Sequence, residues 1–128
     1  MRKQTNIVLV RGNLTRDPEL RQTESGVSIC NFAIANNRDY SKDGQEIKKV
    51  NYFNCHAWGK LGEIINQYFS KGKEILINSG ELVWRKYTDK DGIDRYSVDI
   101  HVKEFEFCSG DVNNNQVENN NSEDMELE

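Results

Sequence analysis

An all-β fold, a five-stranded barrel with one α-helix between its third and fourth strands, is what this 128-residue sequence predicts, on three observations. Short runs of alternating apolar residues recur along the chain, separated by turn signals at Gly12-Asn13, Asp17-Pro18, Ser25-Gly26, Asp43-Gly44 and Asp91-Gly92. A single segment, after Gly59, carries helical spacing instead. Gly80 interrupts an otherwise continuous strand, as a barrel corner requires.

Residues Asn6 to Asn13 form the first strand, with Val8 and Val10 on one side and Ile7, Leu9 and Arg11 on the other. Asp17-Pro18 cannot continue a ladder, because proline has no amide proton to donate. Ser25-Gly26 leads into a second strand, Val27 to Ala35, where Cys30, Phe32 and Ile34 alternate with Ile29, Asn31, Ala33 and Ala35. From Asn36 to Lys49 the sequence reads as a basic loop around an Asp43-Gly44 hairpin turn, with Arg38, Tyr40, Lys42, Lys48 and Lys49.

The third strand, Asn51 to Trp58, sets Tyr52, Asn54, His56 and Trp58 on one side and Phe53, Cys55 and Ala57 on the other. Small apolar residues suit a core. The other side mixes flat amphipathic rings with amides and an imidazole, the composition of a stacking platform for nucleic-acid bases. Aromatics of a buried strand are the plainer explanation, but rings occur on both sides, so one side has another use.

Leu61, Ile64, Ile65, Tyr68 and Phe69 then recur at the spacing of one amphipathic helix, closed by Lys71-Gly72. Glu74 to Lys86 is the fourth strand, bent at Gly80 by backbone angles that glycine permits. Asp91-Gly92 turns the chain into the fifth, Arg95 to Glu104, with Tyr96, Val98, Ile100 and Val102 inward and Ser97, Asp99, His101 and Lys103 outward. Three strands, a helix and two strands is the element order of the OB-fold, a Greek-key barrel.

Two domains of unequal character are expected: an ordered unit over 1–110 and an acidic tail over 111–128. All 17 Lys and Arg precede residue 111, while the tail holds six acids and no base, so the net charge of -4 belongs to the tail. With no aromatics and few apolar residues, the tail cannot bury enough surface to offset the entropy of ordering, and disorder is expected. Apolar runs reach only four residues, as in Ile7 to Val10, and the start Met1-Arg-Lys-Gln-Thr lacks an apolar signal region. A soluble, cytoplasmic protein without membrane contact follows. Cys30, Cys55 and Cys108 are odd in number and lack CxxC spacing, which fits buried thiols, not disulfides or zinc.

No catalytic residue, metal ligand or cofactor site is expected. Asp89, Asp91, Gly92 and Asp94 resemble a calcium loop only superficially: the ligand series is incomplete and no glutamate closes it. His56 and His101 lie on different strands without Cys or carboxylate partners at metal-binding spacing. GxSxG, HExxH and phosphate-loop motifs do not occur.

Six short strings sharpen the fold assignment: Asn6 with Gly12-Asn13-Leu14; Asp17-Pro18-Glu19-Leu20-Arg21; Trp58-Gly59-Lys60-Leu61; Lys71-Gly72; Gly80-x-Leu82; and Asp94-Arg95-Tyr96. In this order and on these elements they resemble the bacterial single-stranded DNA-binding protein family, over residues 6 to about 108. The resemblance implies an OB-fold homotetramer that wraps and protects single-stranded DNA in replication, recombination and repair, associated with the nucleoid. It also implies base stacking at Tyr40, Tyr52, Trp58 and Tyr87, which would line a path. Phosphate contact then falls to Arg21, Lys42, Lys48, Lys49, Lys60, Lys71, Lys73, Arg85 and Lys86, each of which is ordinary surface charge taken alone. Arg85 shares strand parity with Tyr87; Trp84 has the opposite parity and reads as a packing or subunit-contact residue.

Two departures from the family pattern stand out. Arg11 takes an apolar position, and the tail ends Met125-Glu-Leu-Glu128 where the family has an apolar tip that docks replication and repair proteins, which puts that partner role in question. Two rival functions remain: an RNA-binding or primosomal accessory on the same barrel, and a protein-interaction barrel whose outer tyrosines grip a peptide.

Overall fold

The computed structural model describes residues 5–108, so the segment expected to be disordered, 111–128, lies outside the described residues. Within them the alternating runs form β1 (Val8–Leu14), β2 (Glu19–Gln22), β3 (Ser28–Lys42), β4 (Gln45–Trp58), β5 (Glu74–Thr88) and β6 (Asp94–Phe107), with α1 (Gly59–Tyr68) between β4 and β5. Sheet order is β1-β5-β6-β4-β3-β2. Pairing of β1 with β3, at Asn13↔Ala35 and Leu14↔Ile34, closes five of these strands into the expected barrel. The sixth, β2, is added along β3; its four residues are all exposed and show no apolar alternation, which is why the sequence does not announce it.

The inner face follows the alternation. Phe32, Ile34, Ile75, Ile77, Ile100 and Val102 are buried, together with Cys30, Cys55 and Ala57. Helix α1 caps this core with Ile65, and Phe69 just beyond it stacks on Phe107 at 5.2 Å and meets Phe105 edge-on at 5.5 Å. Close docking of α1 depends on Gly62: a Cβ there would collide with the Ala57 carbonyl oxygen.

Three expectations are corrected. The region 36–49 is not a loop: β3 and β4 continue as an antiparallel hairpin out to Lys42↔Gln45, and only Asp43 (φ 52°) and Gly44 (φ 79°) turn, as a tight two-residue connection needs. Gly80 does sit at register shifts in β5, but its backbone has no positive φ; its role is close approach, because a Cβ would press on the His101 carbonyl oxygen and Ile100 at 3.1 Å. On β6, Ile100 and Val102 are buried as read, whereas Tyr96 and Val98 are exposed and Asp99 is buried. The cause is length: β5 and β6 run as a two-stranded arm out to Thr88↔Asp94, beyond the layer of core that would cover their apolar residues.

Candidate nucleic-acid interface

Strand β4 presents the face that alternation predicts. Tyr52 is 70% exposed and Trp58 43% exposed, with Asn54 and His56 between them, while Cys55 and Ala57 point into the core. Register fixes what borders this row: Ala35, Asn31 and Ile29 of β3 lie opposite Tyr52, His56 and Trp58. On the other flank, parallel pairing sets His101 of β6 beside His56. The two imidazole rings lie 5.1 Å apart, and His56 meets the Trp58 ring edge-on at 6.4 Å.

The outer face continues onto the β5–β6 arm, where Arg85 pairs with Ser97, Val83 with Asp99 and Tyr87 with Arg95. Arg85 Nε donates to Asp99 Oδ2 at 2.9 Å, and Ser97 Oγ donates to Oδ1 at 2.6 Å. The Arg85 guanidinium also lies over the Tyr87 ring, 5.0 Å from its centroid. Burial pushes the Asp99 carboxyl up, but the Ser97 and Arg85 hydrogen bonds and the charges of Arg85 and His56 outweigh it and leave it below the usual carboxylate range. Burial lowers His56, with His101 and Arg85 adding to the effect and Asp99 opposing it.

Of the four ring positions implied by the resemblance, Tyr52, Trp58 and Tyr87 share this outer face. Tyr40 does not: register pairs it with Ile47, and its parity matches Phe32 and Ile34, so it projects from the opposite side of the β3–β4 hairpin, with Arg38 5.6 Å over its ring. Among the cations, Lys48 shares the Tyr52 side and Lys42 and Lys49 the Tyr40 side. Lys60 lies in the first turn of α1, while Lys71 and Lys73 lie between α1 and β5. The Lys71 amide donates to Asp17 Oδ1 at 2.8 Å and Lys73 Nζ donates to the Tyr68 carbonyl at 3.2 Å. Three cations already have acidic partners: Arg21 with Glu19, Arg85 with Asp99 and Lys86 with Asp94.

Sequence reasoning set Ser97, Asp99 and His101 outward but missed their nearness to β4 or Arg85, which depends on strand pairing that a single strand's alternation does not reveal. Trp84 lies on the other side of the arm, 64% exposed and stacked on Tyr96 at 5.2 Å, in the company of exposed Leu82 and Val98.

A closed five-stranded barrel whose outer strand face carries exposed rings beside cationic arms defines an oligonucleotide-binding-fold protein. The chain belongs to the single-strand binding protein family, whose model matches residues 5–108. It is 37% identical over 114 residues to a single-stranded DNA-binding protein of Borreliella burgdorferi, covering 88% of this chain and 76% of the relative. A Clostridium perfringens protein of the same name is 39% identical over 103 residues, 80% of this chain and 65% of its own length. Among solved structures, a deletion mutant of the single-stranded DNA binding protein from Thermus aquaticus superposes with a TM-score of 0.71 at 26% identity, over 84% of this chain and 52% of that one.

Proposed function

We propose that the chain binds single-stranded DNA with little regard to sequence and shields it during replication, recombination and repair. The observation that carries this is the Tyr52–Trp58 row: two large rings left exposed on a barrel strand whose other side is buried, in a member of the single-strand binding protein family. Each base stacked on such a ring contributes roughly 1 to 3 kcal/mol and any base serves, because all have a flat face. Tyr87 and Arg85 extend the row along the β5–β6 arm. Tyr40 joins the path only where the strand crosses to the other side of the β3–β4 hairpin. Lys42, Lys48, Lys49, Lys60, Lys71 and Lys73, with Arg21 and Lys86 more weakly because of their acidic partners, supply phosphate contacts.

The protein acts as a binder, not an enzyme, and as a homotetramer in the cytoplasm at the nucleoid. Exposed Ile7, just before β1, and Leu9 on it, with the Trp84 side of the β5–β6 arm, are apolar surface of the kind subunits bury. Replication and repair proteins dock through the acidic 111–128 segment, with Met125 and Leu127 as its apolar contacts. Among the described residues no helix is long and apolar enough to cross a membrane.

Titration with poly(dT), followed by tryptophan fluorescence and light scattering, tests the reading. Quenching is expected, and it persists in Trp84→Phe because Trp58 is the stacking ring. An unchanged signal with unchanged scattering favours a protein-interaction barrel instead. A strong preference for the matched RNA oligomer favours the RNA-binding or primosomal role.

A further inference from the structure

His56 and His101 occupy the centre of the outer face, on adjacent parallel strands, both half-buried, with Trp58 in edge contact on one side. Charged neighbours face the pair from β2, β5 and β6, while β3 and β4 offer neutral ones. On β4 the flanking side chains are the neutral Asn54 and Trp58; on β3 the partner of His56 is Asn31, beyond which Glu19 of β2 pairs with Asn31. On β6 the neighbours are Asp99 and Lys103, and on β5 they are Glu81, opposite His101, and Arg85.

The nearest carboxylates are engaged elsewhere. Asp99 is held by Arg85 and Ser97, Glu81 by Lys103 at 3.3 Å, and Glu19 by Arg21 at 3.8 Å. Among the described residues, neither imidazole has a hydrogen-bond or ion-pair partner. Two adjacent imidazoles thus stand on the proposed DNA-facing surface with no carboxylate hydrogen-bonded to either; Asp99, committed to Arg85 and Ser97, reaches His56 only through its charge. In free protein, burial and mutual repulsion keep His56 neutral at lower pH than an isolated imidazole. An anion set against both rings offsets their mutual repulsion and favours the charged imidazole.

We propose that His56 and His101 form a protonatable binding station for one phosphodiester of the bound strand, next to the base stacked on Trp58. The station rests on the single-stranded DNA reading above and adds to it a residue pair whose charge is acquired on binding. A phosphate set against the outer edges of both rings supplies the direct acceptor that the protein does not, so His56 holds a proton more tightly in the complex than in the free protein. Affinity therefore rises as pH falls through the interval between the free and bound values, by at most about tenfold per pH unit for each imidazole that takes up one proton. Carboxylates stay ionised throughout the pH range 6 to 8 and do not mimic the effect.

The experiment is a titration of the full chain with oligo(dT) at pH 6, 7 and 8, at constant ionic strength, for wild type, His56→Gln, His101→Gln and the double variant. Wild type is expected to bind about 3- to 10-fold tighter at pH 6 than at pH 8, and the double variant to lose most of that gain. Imidazole titration by NMR in wild type, with and without oligo(dT), gives a second measurement that needs no variant: the His56 transition moves upward on binding. A pH gain that survives in the double variant, or a His56 transition that oligo(dT) leaves in place, overturns the proposal. Failure of wild type to bind oligo(dT) at any pH overturns the DNA reading itself.

Discussion

Asp99 holds Arg85 through a 2.9 Å hydrogen bond to Nε, and the same guanidinium covers the Tyr87 ring. The cation most favoured by strand parity as a phosphate ligand therefore arrives at the DNA with part of its charge already answered. Arg85→Ala should lower the salt dependence of oligo(dT) affinity by less than one counterion, whereas Lys48→Ala, at a cation with no acidic partner among the described residues, should lower it by about one. Affinity measured across a salt series separates the two. Equal slopes for both variants contradict this ranking.

Trp58 and Trp84 differ in their surroundings although both are exposed. Trp58→Ala should weaken oligo(dT) binding by about 1 to 3 kcal/mol with an unchanged salt slope, since stacking releases no counterions. Trp84→Ala removes a ring from the apolar side of the arm and should leave short-oligomer affinity nearly unaltered while shifting sedimentation toward smaller species. Opposite outcomes for the two tryptophans reverse their roles.

Acid should destabilise the barrel partly through Asp99. Its folded carboxyl sits below the usual range because Ser97 and Arg85 outweigh burial, so it contributes stability that is present above the unfolded value, about 4, and is lost as pH falls through the folded value. Urea midpoints between pH 3 and pH 6 should fall less steeply for Asp99→Asn than for wild type. An unaltered acid limb shows that Asp99 carries none of this dependence.

Gly62→Ala is expected to cost about 1 to 3 kcal/mol, the usual range for overpacking, even though alanine is the better helix former. The added methyl meets the Ala57 carbonyl and Cys30, so α1 must lift from the barrel. Thermal unfolding reads the effect; a rise in midpoint means propensity wins over the clash.

Native Cys30 and Cys55 should resist alkylation at pH 8. Burial raises their thiols to about 11 and about 12, with Asp99 adding to the effect at Cys55, and the thiolate is the reactive form. Reaction in urea but not in buffer is expected, read by mass spectrometry. Rapid labelling of either site without denaturant shows that the barrel opens there.

Alternation made the barrel legible because each core strand has one face of small or branched apolar residues and the turns carry Gly, Pro, Asn and Asp. Trp58, Tyr52 and their exposure followed from the same period of two. What escaped depends on distance from the core or on pairing. Tyr96 and Val98 continue an inward pattern past the point where anything covers it, so parity assigned the correct side and the wrong environment. Tyr40 has an aromatic identity that fits the family but a register that faces it away from Tyr52. His101 meets His56 only because β6 runs parallel beside β4, a neighbour relation that neither strand's own composition encodes.

The β3–β4 and β5–β6 arms outrun the barrel, and each distal stretch is braced by a single partner strand. Such a stretch opens at lower free energy than the core beneath it. Tyr40 and Tyr87, near the two tips, thus stand on the parts that yield first, while Trp58 is rooted where β4 meets α1. On the path proposed above, one anchored ring with two yielding ones would let a chain of varied bases slide without ever being wholly released.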